Sequence, residues 1–132
     1  MKYLLDTDTC IYLIKQKPPQ VLEKLRKLPL ETICISSITL SELEYGIENS
    51  SRPMQNRLSL LAFLSPFHLL DFDSKAAKAY GQIRYELQKS GTIIGAMDLL
   101  IAAHALSQKL TLVTNNLREF QRVKELKVET WA

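Results

Sequence analysis

Residues 2–6, KYLLD, decide the reading of the fold, together with two later stretches of the same kind: TICIS at 32–36 and LTLVT at 110–114. Each is a short run of apolar or β-branched residues with no polar residue on alternate positions. A strand with one wet face alternates apolar and polar side chains, whereas a strand covered on both faces does not. The segment Phe67–Phe72 is a further strand candidate, and a last strand falls near Val128. Helical spacing fills the gaps. A helix capped by Asp8 carries Ile11, Tyr12 and Ile14 on its apolar side. Another, Val21–Leu28, lies between Pro18–Pro19 and Pro29. Thr39–Ile47 starts with the capping-box pattern Thr39-x-x-Glu42. Leu58, Leu61, Ala62 and Leu64 mark a fourth helix, Ser74–Lys89 a fifth, Met97–Gln108 a sixth and Leu117–Arg122 a short seventh. Strands alternating with helices imply an α/β fold with a parallel sheet covered on both faces.

The length of 132 residues suits one domain spanning 1–132. Hydrophobic residues at 46% and charged residues at 23% are ordinary globular values, which excludes disorder as the main state. No apolar run is long enough for a membrane span. Asp6 and Asp8 stand where a signal peptide would be apolar, so a cytoplasmic location is expected. The net charge of +3, from 17 basic and 14 acidic residues, permits a nucleic-acid partner without demanding one. Cys10 and Cys34 lack the spacing of a zinc site and read as reduced core thiols. His68 and His104 are each without a ligand partner in sequence. There is no Ser/His/Asp signature, no phosphate-cradling glycine loop and no GxGxxG.

Chemistry enters through carboxylates. The chain has five aspartates: Asp6, Asp8, Asp71, Asp73 and Asp98. Asp71 and Asp73 read as turn and cap residues. Asp6, Glu42 and Asp98 lie instead among apolar or small residues. Asp6 ends the first strand, Glu42 starts the helix after the second, and Asp98 starts the helix before the fourth. Asn115 and Asn116 directly follow that fourth strand. In an open parallel sheet, ligand sites form at the carboxyl ends of the strands, so all four positions belong to one edge. Two unit charges 4 Å apart repel by about 4 kcal/mol at an effective dielectric near 20. A hard divalent cation, Mg²⁺ or Mn²⁺, relieves that repulsion, and the chemistry it brings is phosphodiester hydrolysis.

The segments LLDTD, ISSITLSELEYG, IGAMDLLIAAHAL and LVTNNLREFQRV, in this order between Tyr3 and Trp131, resemble PIN-domain ribonucleases, and most closely the VapC toxins of bacterial toxin–antitoxin modules. The resemblance implies a PIN-like three-layer α/β/α sandwich with a central, mainly parallel sheet. It implies Mg²⁺- or Mn²⁺-dependent endonucleolytic cleavage of RNA, with a tRNA as leading substrate. It further implies a homodimer and a cognate VapB-type antitoxin that covers the active-site groove. Carried onto this chain, Asp6, Glu42 and Asp98 match the three acidic positions, as metal ligands and catalytic residues, and Asn116 falls on the fourth. With Asn there, the site has three charges rather than four. Asp8 and Glu119 are candidates for assisting it, and Thr114 and Asn115 for orienting it.

RNA is held by its phosphates, a task for basic side chains. Arg84, Arg118 and Lys15 are the leading candidates, with Lys17 and Lys89 behind them. Two alternatives stand beside the nuclease. LLDTDT also fits the nucleophile motif of haloacid-dehalogenase-like phosphatases, although no acidic pair follows late in the chain. A non-catalytic PIN-like binding module is the other, but such a module has no reason to keep buried like charges.

Overall fold

The computed structural model describes residues 1–132. The strands are β1 (Tyr3–Leu5), β2 (Ile33–Ser36), β3 (His68–Leu70), β4 (Thr111–Val113) and β5 (Val128–Glu129). The helices are α1 (Thr7–Lys15), α2 (Pro19–Arg26), α3 (Ser37–Glu48), α4 (Pro53–Leu64), α5 (Ser74–Lys89), α6 (Ala96–Ser107) and α7 (Leu117–Phe120). A single 3-10 turn, Leu30–Thr32, leads into β2. The strands pair in the order β3-β2-β1-β4-β5, and every pairing is parallel. The expected mainly parallel sheet is therefore wholly parallel.

Register explains why the strands read as unbroken apolar runs. Leu4 lies beside Cys34 and Leu112, and these three side chains enter a core built with α5 and α6 through Ala79, Ile83, Leu99 and Ala102. Their neighbours Tyr3, Leu5, Ile33, Ile35 and Val113 enter a second core, with Cys10 and Leu13 of α1, Val21 of α2, Leu43 and Ile47 of α3, and Leu60 of α4. Period-two alternation persists, but both faces are dry. Burying each such leucine or isoleucine contributes roughly 1.5–3 kcal/mol. The result is a three-layer α/β/α sandwich. Trp131 closes the second core edge-on against Tyr3, with ring centroids 5.7 Å apart.

Two expected caps move. Asp8 is exposed within the first turn of α1, and Asp6 is the residue that caps it. Ser36, not Thr39, caps α3 through its hydroxyl, which accepts from the Ile38 N–H at 3.0 Å. The physical reason is the same for both: the helix begins directly after the buried strand, so the last strand residue or its successor takes the cap position. Asp73 caps α5 as expected, accepting from the Ala76 N–H at 3.0 Å. Gly91, with φ +68°, ends α5 in the left-handed conformation that favours glycine. Both cysteines are buried and free. No helix is long and apolar enough to cross a membrane.

Candidate active site

At the carboxyl edge of the sheet, β1 gives way to Asp6, whose backbone N–H continues the ladder to the Val113 carbonyl at 3.0 Å. That bond fixes the position of the Asp6 side chain. As the cap of α1, it accepts from the Thr9 N–H through Oδ1 at 2.8 Å. The Thr9 hydroxyl in turn donates to the Val113 carbonyl at 3.2 Å. Asp6 is buried, and burial pushes its carboxyl above the ordinary 3.8, opposed by hydrogen bonds from Thr114 and Thr9.

Glu42 sits one turn into α3 and reaches back to the start of α1. The Thr7 hydroxyl, one residue after Asp6, donates to Glu42 Oε1 at 2.6 Å. The side chain therefore bridges two helices across the strand edge rather than completing a capping box with Thr39. Thr39 faces inward instead, and its hydroxyl, like His104 Nε2, is buried without a hydrogen-bond partner. His104 is a buried structural histidine. Its Nδ1 lies 2.7 Å from the Ser36 hydroxyl, its ring packs edge-on to Phe72, and burial lowers its pKa.

Asp98 lies in the first turn of α6, and the turn after β4 brings Glu119 against it. The Thr114 hydroxyl accepts from the Asn116 N–H at 2.9 Å, and the Asn116 amide donates to Glu119 Oε2 at 2.8 Å. The Gly95 N–H, just before α6, donates to Glu119 Oε1 at 2.7 Å. Those two bonds hold Glu119 ionised, below its ordinary pKa. Asp98 is pushed the other way, to about 7. Burial is the larger cause, and the charges of Glu119, Asp6 and Glu42 follow in that order. Asn115 ties the β4 exit to α1 by donating to the Tyr12 hydroxyl at 3.1 Å.

Asp6, Glu42 and Asp98 thus share one edge, and Asp98 lies within the field of the other two. Asn116 joins them through Glu119, which sequence reading left as a distant candidate. Its placement three residues after Asn116, on one helix face, was the available signal. Asp8 makes no contact with the cluster beyond adding its charge to that felt by Asp6. No cation pairs with any of these carboxylates; the only ion pairs join Arg57 to Glu44 and Glu48. The number and charge of the donors fit a hard divalent cation. As the side chains stand, held by Thr7, Thr9, Gly95 and Asn116, no three acidic groups are close enough to hold an ion together.

The basic candidates are spread out. Lys15 ends α1 and lines a cleft of about 310 Å³ that also contains Glu42. Arg84 is exposed on α5 and donates to the Tyr80 hydroxyl at 3.0 Å. Arg118 is exposed on α7, beside Glu119.

The sequence model of the PIN domain matches residues 3–126. The chain belongs to the PIN domain family. Among the relatives of this PIN domain are a tRNA(fMet)-specific endonuclease VapC from Salmonella typhimurium, 47% identical over 99% of this chain and 98% of that one, and ribonuclease VapC2 from Rickettsia felis, 46% identical over 99% and 98%. Two solved structures are similar over the whole chain. One is VapBC2 of Rickettsia felis bound to a DNA fragment from its promoter, with a TM-score of 0.93 at 44% identity over 100% of both chains. The other is DNA-bound VapBC of Salmonella typhimurium, with a TM-score of 0.94 at 47% identity over 100% of this chain and 99% of that one. Membership sets aside the dehalogenase-like phosphatase, and LLDTDT is the end of β1, the cap and the first turn of α1 in a PIN fold.

Proposed function

We propose that this PIN domain is a Mg²⁺- or Mn²⁺-dependent endoribonuclease toxin of the VapC type, cutting a structured RNA such as a tRNA. Asp6, Glu42 and Asp98 are the groups assigned to hold the cation, with Asn116 and Glu119 at its margin. When bound, such an ion acts as a Lewis acid on a phosphoryl group and makes water more acidic. The observation that carries the reading is the convergence of carboxylates from β1, α3 and α6 with no ion pair to any of them, so that Asp98 is raised to about 7, first by burial and then by its neighbours' charges. Repulsion of this kind, left unrelieved, costs stability; retaining it makes sense where a cation or a reaction uses it.

The chain's own residues divide the remaining work. Thr7 and Thr9 fix the carboxylates of Glu42 and Asp6 at the strand edge. Gly95 and Asn116 fix Glu119. Arg118, Arg84 and Lys15 are assigned to the phosphates of the bound RNA. The full-length relatives named as VapC ribonucleases, and the VapBC complexes that share the fold, support an RNA substrate and a cognate VapB-type antitoxin for this chain. A homodimer completes the proposal, on the family resemblance.

Purified protein is to be incubated with total RNA and Mg²⁺ or Mn²⁺, and the new ends mapped. Discrete cuts that vanish with EDTA are expected. RNA left intact under every metal tested refutes the enzyme and leaves a non-catalytic module.

A further inference from the structure

Seven of the sixteen basic side chains outside an ion pair gather on one face of the molecule. Along one side of the molecule, α5 faces the segment that descends from α7 to β5, and two cavities lie end to end between them. The first, about 620 Å³, is lined by Lys75, Lys78, Lys109 and Lys127 over a floor that includes Ala79, Leu110 and Leu126. The second, about 400 Å³, is lined by Lys89, Arg122 and Lys124 over Ile83, Leu87 and Val123. They meet where Gln82 is followed by Ile83 and Lys124 by Glu125. The result is one trough with seven cations against two carboxylates, Glu86 and Glu125. All seven cations are exposed, and none is in an ion pair.

The trough has a direction. Its far end lies beside the starts of β4 and β5, at the edge of the sheet opposite the carboxylates. Its near end reaches them: Arg122 donates to the Ile93 carbonyl at 3.2 Å, two residues before the Gly95 N–H that holds Glu119. Lys109 stands at φ +57°, a left-handed position where glycine is the unstrained choice, yet a long cation occupies it. The 16 residues of α5 span about 24 Å.

We propose that this trough is an RNA exosite: it binds the sugar–phosphate backbone of a substrate arm that extends away from the cleaved bond. Cations gathered along an apolar floor suit a polyanion with ribose between its charges, and the near end opens at the carboxylate edge. None of the far lysines is in the reactive cluster, so they act on affinity for long or folded RNA and not on the chemical step. The inference rests on the ribonuclease reading.

The test replaces Lys75, Lys78, Lys109 and Lys127 together by Gln, and in a second protein by Arg. Binding of a folded tRNA and of a six-nucleotide RNA is measured by fluorescence anisotropy in EDTA across a salt series, and cleavage of both in Mn²⁺. The Gln variant is expected to bind the tRNA at least about tenfold more weakly, with the slope of log affinity against log salt reduced by about 3. Binding and cleavage of the six-nucleotide RNA should change less than about twofold, and the Arg variant should restore tRNA affinity. Unchanged tRNA binding, equal losses on both RNAs, or no rescue by Arg overturns the exosite. Wild-type protein that cuts neither RNA overturns the ribonuclease reading instead, since the anisotropy measurement needs no cleavage.

Discussion

The two charged regions of this molecule are mirror images in sign. At the carboxyl edge of the sheet, Asp6, Glu42, Asp98 and Glu119 gather with no ion pair to any of them, Arg122 acting only on Glu119 at the margin. Along α5, seven cations line a trough with only two carboxylates. A chain selecting for stability alone would interleave the two sets. Only Arg57, with Glu44 and Glu48, does so. Separating the charges leaves one surface suited to a divalent cation and the other to a polyanion, and the second leads to the first. The lesson is that unpaired charge, sorted by sign, is a functional signal where paired surface charge is not.

The largest effect should follow from removing charge at the acidic edge. Asp98→Asn should lower RNA cleavage by about 10³-fold or more, as loss of a central electrostatic group does, while circular dichroism shows an unchanged fold. Normal cleavage by this variant would sink the site assignment.

Next comes the response to pH without metal. Burial and its neighbours raise Asp98 from 3.8 to about 7, so the folded state binds a proton that the unfolded chain has released. The stability this proton confers is present in full below the ordinary value and is lost as pH rises through about 7. The midpoint temperature of the metal-free protein should therefore fall between pH 5 and 8, and Mn²⁺ should reverse the fall. Asp98→Asn should flatten the profile. His104, held neutral by burial, contributes the opposite slope to both proteins, so the comparison decides: a wild type that loses no more stability than Asp98→Asn over this range contradicts the charge crowding.

Glu119→Gln should have a smaller effect. The amide keeps an oxygen for the Gly95 N–H or Asn116 but removes the charge, so cleavage should drop about tenfold, and Asp98 should titrate lower. A measured Asp98 pKa that does not move would show that burial acts alone.

The smallest change should come from the paired charges. Arg57 and Glu44 are each more than 40% exposed at 42% and 43%. Arg57→Gln should cost about 0.5 kcal/mol in urea unfolding and leave cleavage intact. A loss of activity here would blur the contrast between sorted and paired charge.

Much of this was already present in the chain's order. The runs KYLLD, TICIS and LTLVT determined that strands would be covered on both faces, because Tyr3–Leu5, Ile33–Ile35 and Leu112–Val113 offer no polar side chain to either face, and Ser74–Lys89 matches α5 end to end. Sheet polarity then placed Asp6, Glu42, Asp98 and Asn116 at one edge. The caps were misread at Asp8 and Thr39 because cap patterns are degenerate by one or two residues, and only the length of the buried strand selects among them. The edge of FHLLDF is shorter than its apolar run implied, since β3 lies at the sheet margin with His68 and Leu69 exposed.

What the linear order could not hold was which side chain leans on which. Glu119 entered the cluster through the Gly95 N–H, 24 positions away, and Glu42 was claimed by the Thr7 hydroxyl, 35 positions away. The trough needs α5 and the 122–127 segment side by side, and its lysines carry no local pattern. Apolar periodicity is written along the chain because each residue meets water or core by its own position in the element. Electrostatic fields belong to pairs, and pairs exist only once the backbone has closed.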